Sequence, residues 1–157
     1  MKYFYDTEFI EDGKTIDLIS IAIVSEDGRE YYAHSSEYEV SKASEWVKDN
    51  VIKYLSDTPP ISRQEIKQGI LDFIGDDSPE FWAYYADYDH VVLCQLFGTM
   101  MDLPKHFPMY TRDLKQLLDY YGNPEFEKPE DEHHALADAR WVKDSYFLVT
   151  KLSKHLK

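Results

Sequence analysis

Residues 1–10 of the chain read MKYFYDTEFI, and this stretch decides the fold because it joins strand-forming aromatic residues to two acids. The aromatic residues favour an extended strand over residues 2–9, whereas aspartate is uncommon in strands. Asp6 and Glu8 are two residues apart, so on a strand their side chains share a face, roughly 7 Å from each other. Like charges placed this way repel. The pair indicates either an edge strand with both acids in solvent or a site that needs two carboxylates.

Two more strands are predicted directly after this one. Residues 16–24, IDLISIAIV, are almost continuously apolar, which is typical of a central strand buried on both faces. Residues 26–28, EDG, form a turn signal, and residues 29–35, REYYAHS, predict the return strand of a hairpin. Gly13 marks the turn between the first two strands. The sequence therefore begins with three consecutive antiparallel strands.

Beyond residue 40 the apolar residues recur mostly with the period of a helix. Helices are predicted over residues 41–55, from the cap residue Ser62 through Ile74, and over residues 89–97, 112–121 and 134–152; strands are predicted over residues 80–86 and 106–111. Neither an internal repeat nor a long linker divides the chain. We expect a single α/β domain over residues 1–157, with one mixed sheet and helices packed over it.

The composition bounds the function. Acidic residues number 30 and basic residues 17, for a net charge of −13, which argues against a nonspecific binder of nucleic acid. An enzyme whose acids hold divalent cations remains open, because bound cations reverse the local sign of charge. Cys94 is the single cysteine, so we expect no internal disulfide and a cytoplasmic location. No signal peptide or membrane-spanning segment is indicated by the sequence.

A third acid lies where a helix should bury its face. In residues 85–97, YADYDHVVLCQLF, Asp89 precedes Val92 and Leu93 by three and four residues. Its carboxylate is therefore predicted at the head of the apolar stripe and facing the core. Asp87, between the strand and the helix, is the competing candidate for the inward position. We prefer Asp89 there and expect Asp87 to be the helix N-cap.

A fourth acid repeats this pattern in the last helix. Asp138 follows Ala135 by three residues and precedes Val142 by four, so it lies within the apolar stripe. The small residues Ala135, Ala137 and Ala139 would let this helix approach the sheet closely. A desolvated charge without a partner is costly, so four such acids call for a common explanation.

Bound cations provide that explanation. Mg²⁺ or Mn²⁺ takes oxygen ligands, and two ions about 4 Å apart need several converging carboxylates. Asp6, Glu8, Asp89 and Asp138 are the predicted ligands of two Mg²⁺ ions, with Mn²⁺ as a substitute. Such a pair brackets a scissile phosphate, one ion activating water and the other stabilising the leaving oxygen. His133 is then the predicted general base, with His134 as its rival.

With these residues identified, the sequence resembles the DEDDh 3′–5′ exonucleases of the RNase H-like superfamily. The matching motifs are Asp6-Thr7-Glu8, the pair Tyr88-Asp89, and the run His133-His134-Ala135-Leu136-Ala137-Asp138. The closer resemblance is to compact, polyadenylate-preferring 3′-exoribonucleases, through YFYDTEFIEDGKTIDLISI and YDHVVLCQLFG. It implies an RNase H-like mixed five-stranded sheet, three antiparallel strands then parallel strands, flanked by helices, and a homodimer. The four acids are implied as metal ligands and His133 as the base.

The resemblance also implies how RNA is held, and here the chain departs from the wider superfamily. The terminal base commonly stacks beside the first motif, so Phe9 is the predicted platform and Thr7 offers backbone contacts, although Phe9 also fits a core position. Tyr84 and Tyr85 stand where the superfamily often has His-Asn. Basic residues that would meet phosphates are Lys105, Arg112, Lys115 and Arg140.

Three functions follow from these patterns. The first is a metal-dependent exoribonuclease that releases 5′-monophosphates from the 3′ end of single-stranded RNA. The second keeps the chemistry but acts on DNA ends in proofreading or repair. The third is a non-catalytic interaction module whose acids are solvated and whose His133, His134 and Cys94 bind Zn²⁺, although these residues lack the regular spacing of a structural zinc site.

Overall fold

The computed structural model describes residues 1–155. Its strands are β1 (Lys2–Glu11), β2 (Ile16–Ser25), β3 (Glu30–His34), β4 (Glu80–Ala83) and β5 (Arg112–Asp113). Its α-helices are α1 (Glu45–Asn50), α2 (Arg63–Ile74), α3 (Asp87–Phe97), α4 (Leu114–Tyr120) and α5 (Ala135–Ser153). The strands form one sheet in the order β3-β2-β1-β4-β5. β1 pairs antiparallel with β2, and β2 with β3, whereas β4 and β5 join in parallel, so the predicted mixed five-stranded sheet is confirmed.

Side chains of β1 alternate between the two faces of the sheet, and each face has its own cover. Tyr3 and Tyr5 are fully buried against residues of α2 and α3. Phe4 points to the other face and packs against Val142 and Val149 of α5. Helices on both faces bury the central strand, which explains its aromatic content.

The last helix packs closely against the sheet, as its alanines predict. Ala135 and Ala139 contact Ala22 and Val24 of β2 in one buried cluster. Small side chains at such a contact bring the helix backbone near the strand, and they place the first turn of α5 beside the centre of β1.

Two predicted elements are shortened or broken in the structure. Residues 80–86 form a strand only to Ala83, because Tyr85 takes a left-handed backbone with φ of 54°. The predicted helix over residues 41–55 is broken: 3₁₀ turns cover Val40–Lys42 and Ile52–Tyr54, and α1 covers only Glu45–Asn50. Val51, with φ of −120° and ψ of −65°, leaves the helical path and is buried beside Ile10 and Ile19.

The predicted strand over residues 106–111 is wrong. Strand pairing occurs instead at Arg112 and Asp113, which the sequence assigns to a helix. Phe107 is buried against Phe81. It is apolar because it belongs to a loop that packs on the core, and not because it belongs to a strand. The Asp113 side chain accepts a hydrogen bond from the Lys115 amide and caps α4, which therefore begins at Leu114.

Candidate active site

β1 brings two carboxylates to the face of the sheet that α5 covers. Asp6 pairs with Ala22 and Glu8 with Ser20 of β2, and the two acids lie on one face, as their spacing predicts. The register shifts immediately afterwards, between Glu8 and Phe9. A bulge of this kind bends a strand and re-aims its side chains, and here it follows the second acid directly.

α3 adds the third carboxylate. Asp89 is only 5% exposed, and its Oδ1 accepts two hydrogen bonds from Thr7, one from the amide at 3.0 Å and one from Oγ1 at 2.5 Å. These bonds hold the first turn of α3 against β1 and use one of the two carboxylate oxygens. The inward position predicted for Asp89 is therefore found. The predicted cap is wrong: the N-cap is Ala86, and Asp87 is the first, exposed residue of the helix.

The start of α5 contributes Asp138 and His133. The Asp138 Oδ2 accepts a hydrogen bond of 2.9 Å from the His133 amide. His133 has a left-handed backbone with φ of 73°, which turns the chain into the helix. A ring nitrogen of His133 and one carboxylate oxygen each of Glu8 and Asp138 all lie within 4.8 Å of one another. The His133 ring packs nearly perpendicular to the Trp46 ring, with ring centroids 4.9 Å apart.

Burial raises the pKa values of all four acids, and for Asp6 and Glu8 the charges of neighbouring acids add to the rise. Burial raises the pKa of Glu8 to about 8, and the charge of Asp138 adds to the rise. The pKa of Asp89 rises to about 7 through burial, although the two bonds from Thr7 oppose the shift. The pKa of Asp138 rises to about 6, again through burial, against the bond from the His133 amide. Burial and the charges of Asp89, Glu8 and Asp138 raise the pKa of Asp6 well above its ordinary value.

One oxygen of Asp6 tests whether these residues fit divalent cations. Asp6 Oδ2 is enclosed and has no hydrogen-bond partner among the described residues. A buried carboxylate oxygen normally has such a partner, and the other groups around it are mostly acids that repel it. A divalent cation would satisfy this oxygen and neutralise the repulsion, and carboxylates are the ligands that Mg²⁺ and Mn²⁺ prefer. The residues present therefore fit divalent cations.

All seven predicted site residues line one cleft of about 570 Å³. They are Asp6, Thr7, Glu8, Phe9, Asp89, His133 and Asp138. Phe9 is half-buried and contacts Tyr88, with ring centroids 5.8 Å apart. The structure thus gathers in one place residues that are up to 132 positions apart, from Asp6 to Asp138.

Comparison with known proteins bears directly on this cleft. A family model described as the 3′–5′ exoribonuclease Rv2179c-like domain matches residues 1–147 of the chain. The chain belongs to this family. The Rv2179c-like match spans every residue of the cleft, and the predicted resemblance to 3′–5′ exoribonucleases is confirmed.

Named relatives support the same assignment to the Rv2179c-like family. The 3′–5′ exoribonuclease Rv2179c of Mycobacterium tuberculosis strain H37Rv is 48% identical over 159 aligned residues, which cover 96% of this chain and 94% of the relative. The 3′–5′ exoribonuclease MT2234.1 of strain CDC 1551 matches to the same extent. Among solved structures, exonuclease I matches with a TM-score of 0.67 at 13% identity, and the match covers 96% of this chain but only 40% of that one. The RNase H-like fold expected from the sequence is confirmed.

Three residues of this Rv2179c-like cleft have no site role in the sequence patterns: Trp46, Lys128 and Trp141. Tyr84, Tyr85 and Tyr88, which the motif comparison names, line the same cleft. The basic residues expected from the sequence do not line the cleft. Arg140 pairs with Glu30, and Lys115 pairs with Asp119. The only sequence signal for Lys128 is that it is the one basic residue of the acidic loop 123–132.

The zinc hypothesis receives no support from the geometry. His134 is the N-cap of α5, where its ring stacks on Tyr32 with centroids 5.1 Å apart and lies outside the cleft. Cys94 is buried and contacts His90, with Sγ 3.4 Å from Nε2. Within residues 1–155 no group of metal-ligating side chains contains Cys94.

None of the helices within residues 1–155 is both long and apolar enough to cross a bilayer.

Proposed function

We propose that this chain is a metal-dependent 3′–5′ exoribonuclease that hydrolyses single-stranded RNA, with a preference for polyadenylate, to 5′-monophosphates. The observation that carries the proposal is Asp6 Oδ2, which is enclosed amid three further carboxylates and has no hydrogen-bond partner within residues 1–155. The names of the curated relatives supply the reaction class and the RNA substrate.

The four acids are the proposed cation ligands. Asp6, Glu8, Asp89 and Asp138 would hold two Mg²⁺ ions, for which Mn²⁺ would substitute. When bound, the cations would supply an activated water and stabilise the leaving oxygen of the phosphodiester. The protein orients the ligands beforehand: two bonds from Thr7 fix Asp89, and the His133 amide fixes Asp138.

His133 is the proposed proton acceptor. A ring nitrogen lies within 4.8 Å of carboxylate oxygens of both Glu8 and Asp138, so a water held between these acids is within reach of the imidazole. The left-handed backbone and the contact with Trp46 keep the ring at the edge of the cleft. His133 is half-buried, which leaves it a path to pass the proton to solvent.

Phe9 and Thr7 are proposed to receive the terminal nucleotide. Phe9 lines the cleft one residue after Glu8, so a base stacked on it would leave its 5′-phosphate near the acids. Both donors of Thr7 already point to Asp89, which gives Thr7 a positioning role as well. Its direct backbone contact with RNA stays a prediction.

The proposed reaction is tested by digesting single-stranded oligoadenylate labelled at its 5′ end. We expect a ladder that shortens from the 3′ end, release of AMP, and complete loss of both in EDTA. Matched oligouridylate and oligodeoxyadenylate measure the preferences for base and sugar. Three results would contradict the proposal: cleavage at internal positions of the RNA, activity in EDTA, or faster digestion of DNA than of RNA.

Three broader properties are also proposed. We propose a single domain over residues 1–157, and the relative Rv2179c supports it, because the alignment covers 96% of this chain and 94% of that protein. Homodimer formation follows from the resemblance, and sedimentation equilibrium tests it. A cytoplasmic location rests on the single cysteine, Cys94, and cell fractionation tests it.

A further inference from the structure

The cleft holds a second group of aromatic rings, separate from the Phe9–Tyr88 pair. Tyr85 contacts Tyr84 with ring centroids 4.5 Å apart, and Tyr84 contacts Trp141 at 5.0 Å. These rings come from the two residues that follow β4 and from α5, whereas Phe9 belongs to β1. The proposed function uses one base-stacking position, so it leaves this second group without a task.

Lys128 lies on these rings. Its Nζ is 3.7 Å from the ring centroid of Trp141 and 4.3 Å from that of Tyr84. Contacts of this kind hold an ammonium group in place while leaving its charge available. Among the described residues, Lys128 has no carboxylate within 4.0 Å and is the one Lys or Arg that lines the cleft.

Tyr85 is held in an unusual conformation at the same place. Its backbone has φ of 54°, which is unfavourable for a residue with a bulky side chain, and its amide donates a 3.0 Å hydrogen bond to Asp113 Oδ1. Tyr85 is 61% exposed despite this constraint. Backbone strain that presents an exposed ring to a cleft gains nothing for the core, and strain of this kind concentrates at functional sites.

We propose that Tyr85 and Lys128 form a second nucleotide subsite, in which Tyr85 stacks on the base next to the terminal one and Lys128 contacts a phosphate upstream of the scissile bond. This subsite rests on the proposed function, and it narrows the substrate class to unpaired oligonucleotides of at least two nucleotides. Stacking requires a base that is free of a complementary strand. In a chain with a net charge of −13, Lys128 is well suited to anchor the RNA backbone, because among the described residues it is the one Lys or Arg that lines the cleft.

The test compares a substrate that reaches the subsite with a ligand that does not. The variants are Tyr85→Asn, chosen because asparagine tolerates a left-handed backbone, Tyr85→Phe and Lys128→Gln. For each, the KM for oligoadenylate is compared with the inhibition constant of AMP, which offers one nucleotide only. We expect Tyr85→Asn to raise the ratio of KM to inhibition constant about tenfold, since one base stack contributes on the order of 1–3 kcal/mol. Tyr85→Phe should keep the ratio of the parent chain.

Salt dependence identifies the task of Lys128. The slope of log affinity against log salt is negative, and its magnitude decreases by about 0.7 for each lost phosphate contact with a single strand. Lys128→Gln should show this loss, whereas Lys151→Gln, which removes an exposed charge outside the cleft, should not. Tyr120→Asn, which removes an 81% exposed ring outside the cleft, is the matched control for Tyr85. Thermal melts of every variant exclude a loss of folding.

Failure of the subsite and failure of the reaction are separable. If the parent chain does not shorten RNA, the proposed function fails, but fluorescence anisotropy with oligoadenylate in an Asp138→Asn background still reports on the subsite. There the Tyr85→Asn and Lys128→Gln changes should each weaken binding, by about tenfold for the former. An unchanged dissociation constant, or a KM and AMP inhibition constant that rise in parallel, would overturn the subsite.

Discussion

Thr7 gives both of its hydrogen-bond donors to a single oxygen of Asp89, at 3.0 Å from the amide and 2.5 Å from Oγ1. Thr7 lies between the two acids of β1, and Asp89 lies 82 residues away in the first turn of α3. The contact therefore joins the strand that carries two proposed ligands to the helix that carries a third, and it orients Asp89 with or without bound cations.

Replacing Thr7 by valine should weaken the site without emptying the core. The variant keeps the branched shape of a 4% exposed side chain and removes only the hydroxyl donor. Loss of a hydrogen bond that orients a metal ligand commonly lowers metal affinity or activity by 10–100-fold. We therefore expect the Mg²⁺ concentration for half-maximal activity to rise about tenfold. Thr7→Ser, which restores the hydroxyl, should recover the parent value. Equal Mg²⁺ requirements in Thr7→Val and the parent chain would refute the positioning role.

Asp138→Asn should abolish nucleotide release while the chain remains folded. Asparagine keeps an acceptor for the His133 amide but removes one negative charge from a crowded site. We expect activity to fall by more than about a hundredfold, since the change strikes a proposed ligand directly. In EDTA the variant should melt above the parent, because the repulsion felt by Asp6 and Glu8 decreases.

Asp144→Asn is the matched control for that variant. Asp144 is an exposed residue of α5 that does not line the cleft, so its loss removes the same charge from the same helix. It should leave both turnover and the melting temperature close to those of the parent chain. Full activity in Asp138→Asn would remove Asp138 from the site.

The metal-free protein should lose stability as the pH rises. The pKa values of Asp138, Asp89 and Glu8 stand at about 6, 7 and 8 in the folded chain, above those of unfolded carboxyl groups, so folding retains protons. A raised pKa contributes stability that is fully present below the unfolded pKa and is lost as pH rises through the folded value. In EDTA, the free energy of unfolding should therefore fall from about pH 4 to about pH 8, by at most about 1.4 kcal/mol per pH unit for each proton.

Two comparisons isolate the carboxylates in this pH series. Glu8→Gln should flatten the profile at its upper end, where Glu8 titrates. Saturating Mg²⁺ should restore stability near the upper limit of the range, because cations replace the lost protons. Urea titrations at each pH supply the free energies. If the profile is identical in the parent chain and in Glu8→Gln, the raised pKa of Glu8 in the folded chain does not contribute to the pH dependence, which would contradict the prediction.

His133→Ala should separate catalysis from binding. The change removes the imidazole, which is the proposed proton acceptor. Because acid–base groups typically contribute 10²–10⁴-fold to the rate, kcat should fall by about a hundredfold or more. The affinity for RNA should change little, because Phe9 and the acids remain in place. His134→Ala is the control, since His134 stacks on Tyr32 outside the cleft. A greater loss of kcat in His134→Ala than in His133→Ala would transfer the role to His134.

Much of the cleft could be predicted because its acids break strong local patterns. On β1 the period of two places Asp6 and Glu8 together, and the structure keeps that register until the bulge after Glu8. On α3 and α5 the period of 3.6 places Asp89 and Asp138 in apolar stripes, where an unpaired charge is costly. A few residues whose chemistry contradicts their surroundings thus identify the site from the sequence.

The remainder depends on contacts that have no local pattern. β5 contains two residues, too few for a strand period, and its pairing is set by β4. Phe107 is apolar because it packs on Phe81 and Phe97, which a strand pattern imitates. Lys128 meets Trp141 and Tyr84 only after folding, so an isolated lysine in an acidic loop carries no signal of its place in the cleft.

Anomalous diffraction from a crystal soaked in Mn²⁺ tests most directly whether cations unite these acids. We predict manganese peaks in the cleft, with carboxylate oxygens of Asp6, Glu8, Asp89 and Asp138 about 2.0–2.4 Å away. Asp6 Oδ2 should be among the bound oxygens, because it has no other partner within the described chain. A fully soaked crystal with no manganese between these four carboxylates would contradict the central claim.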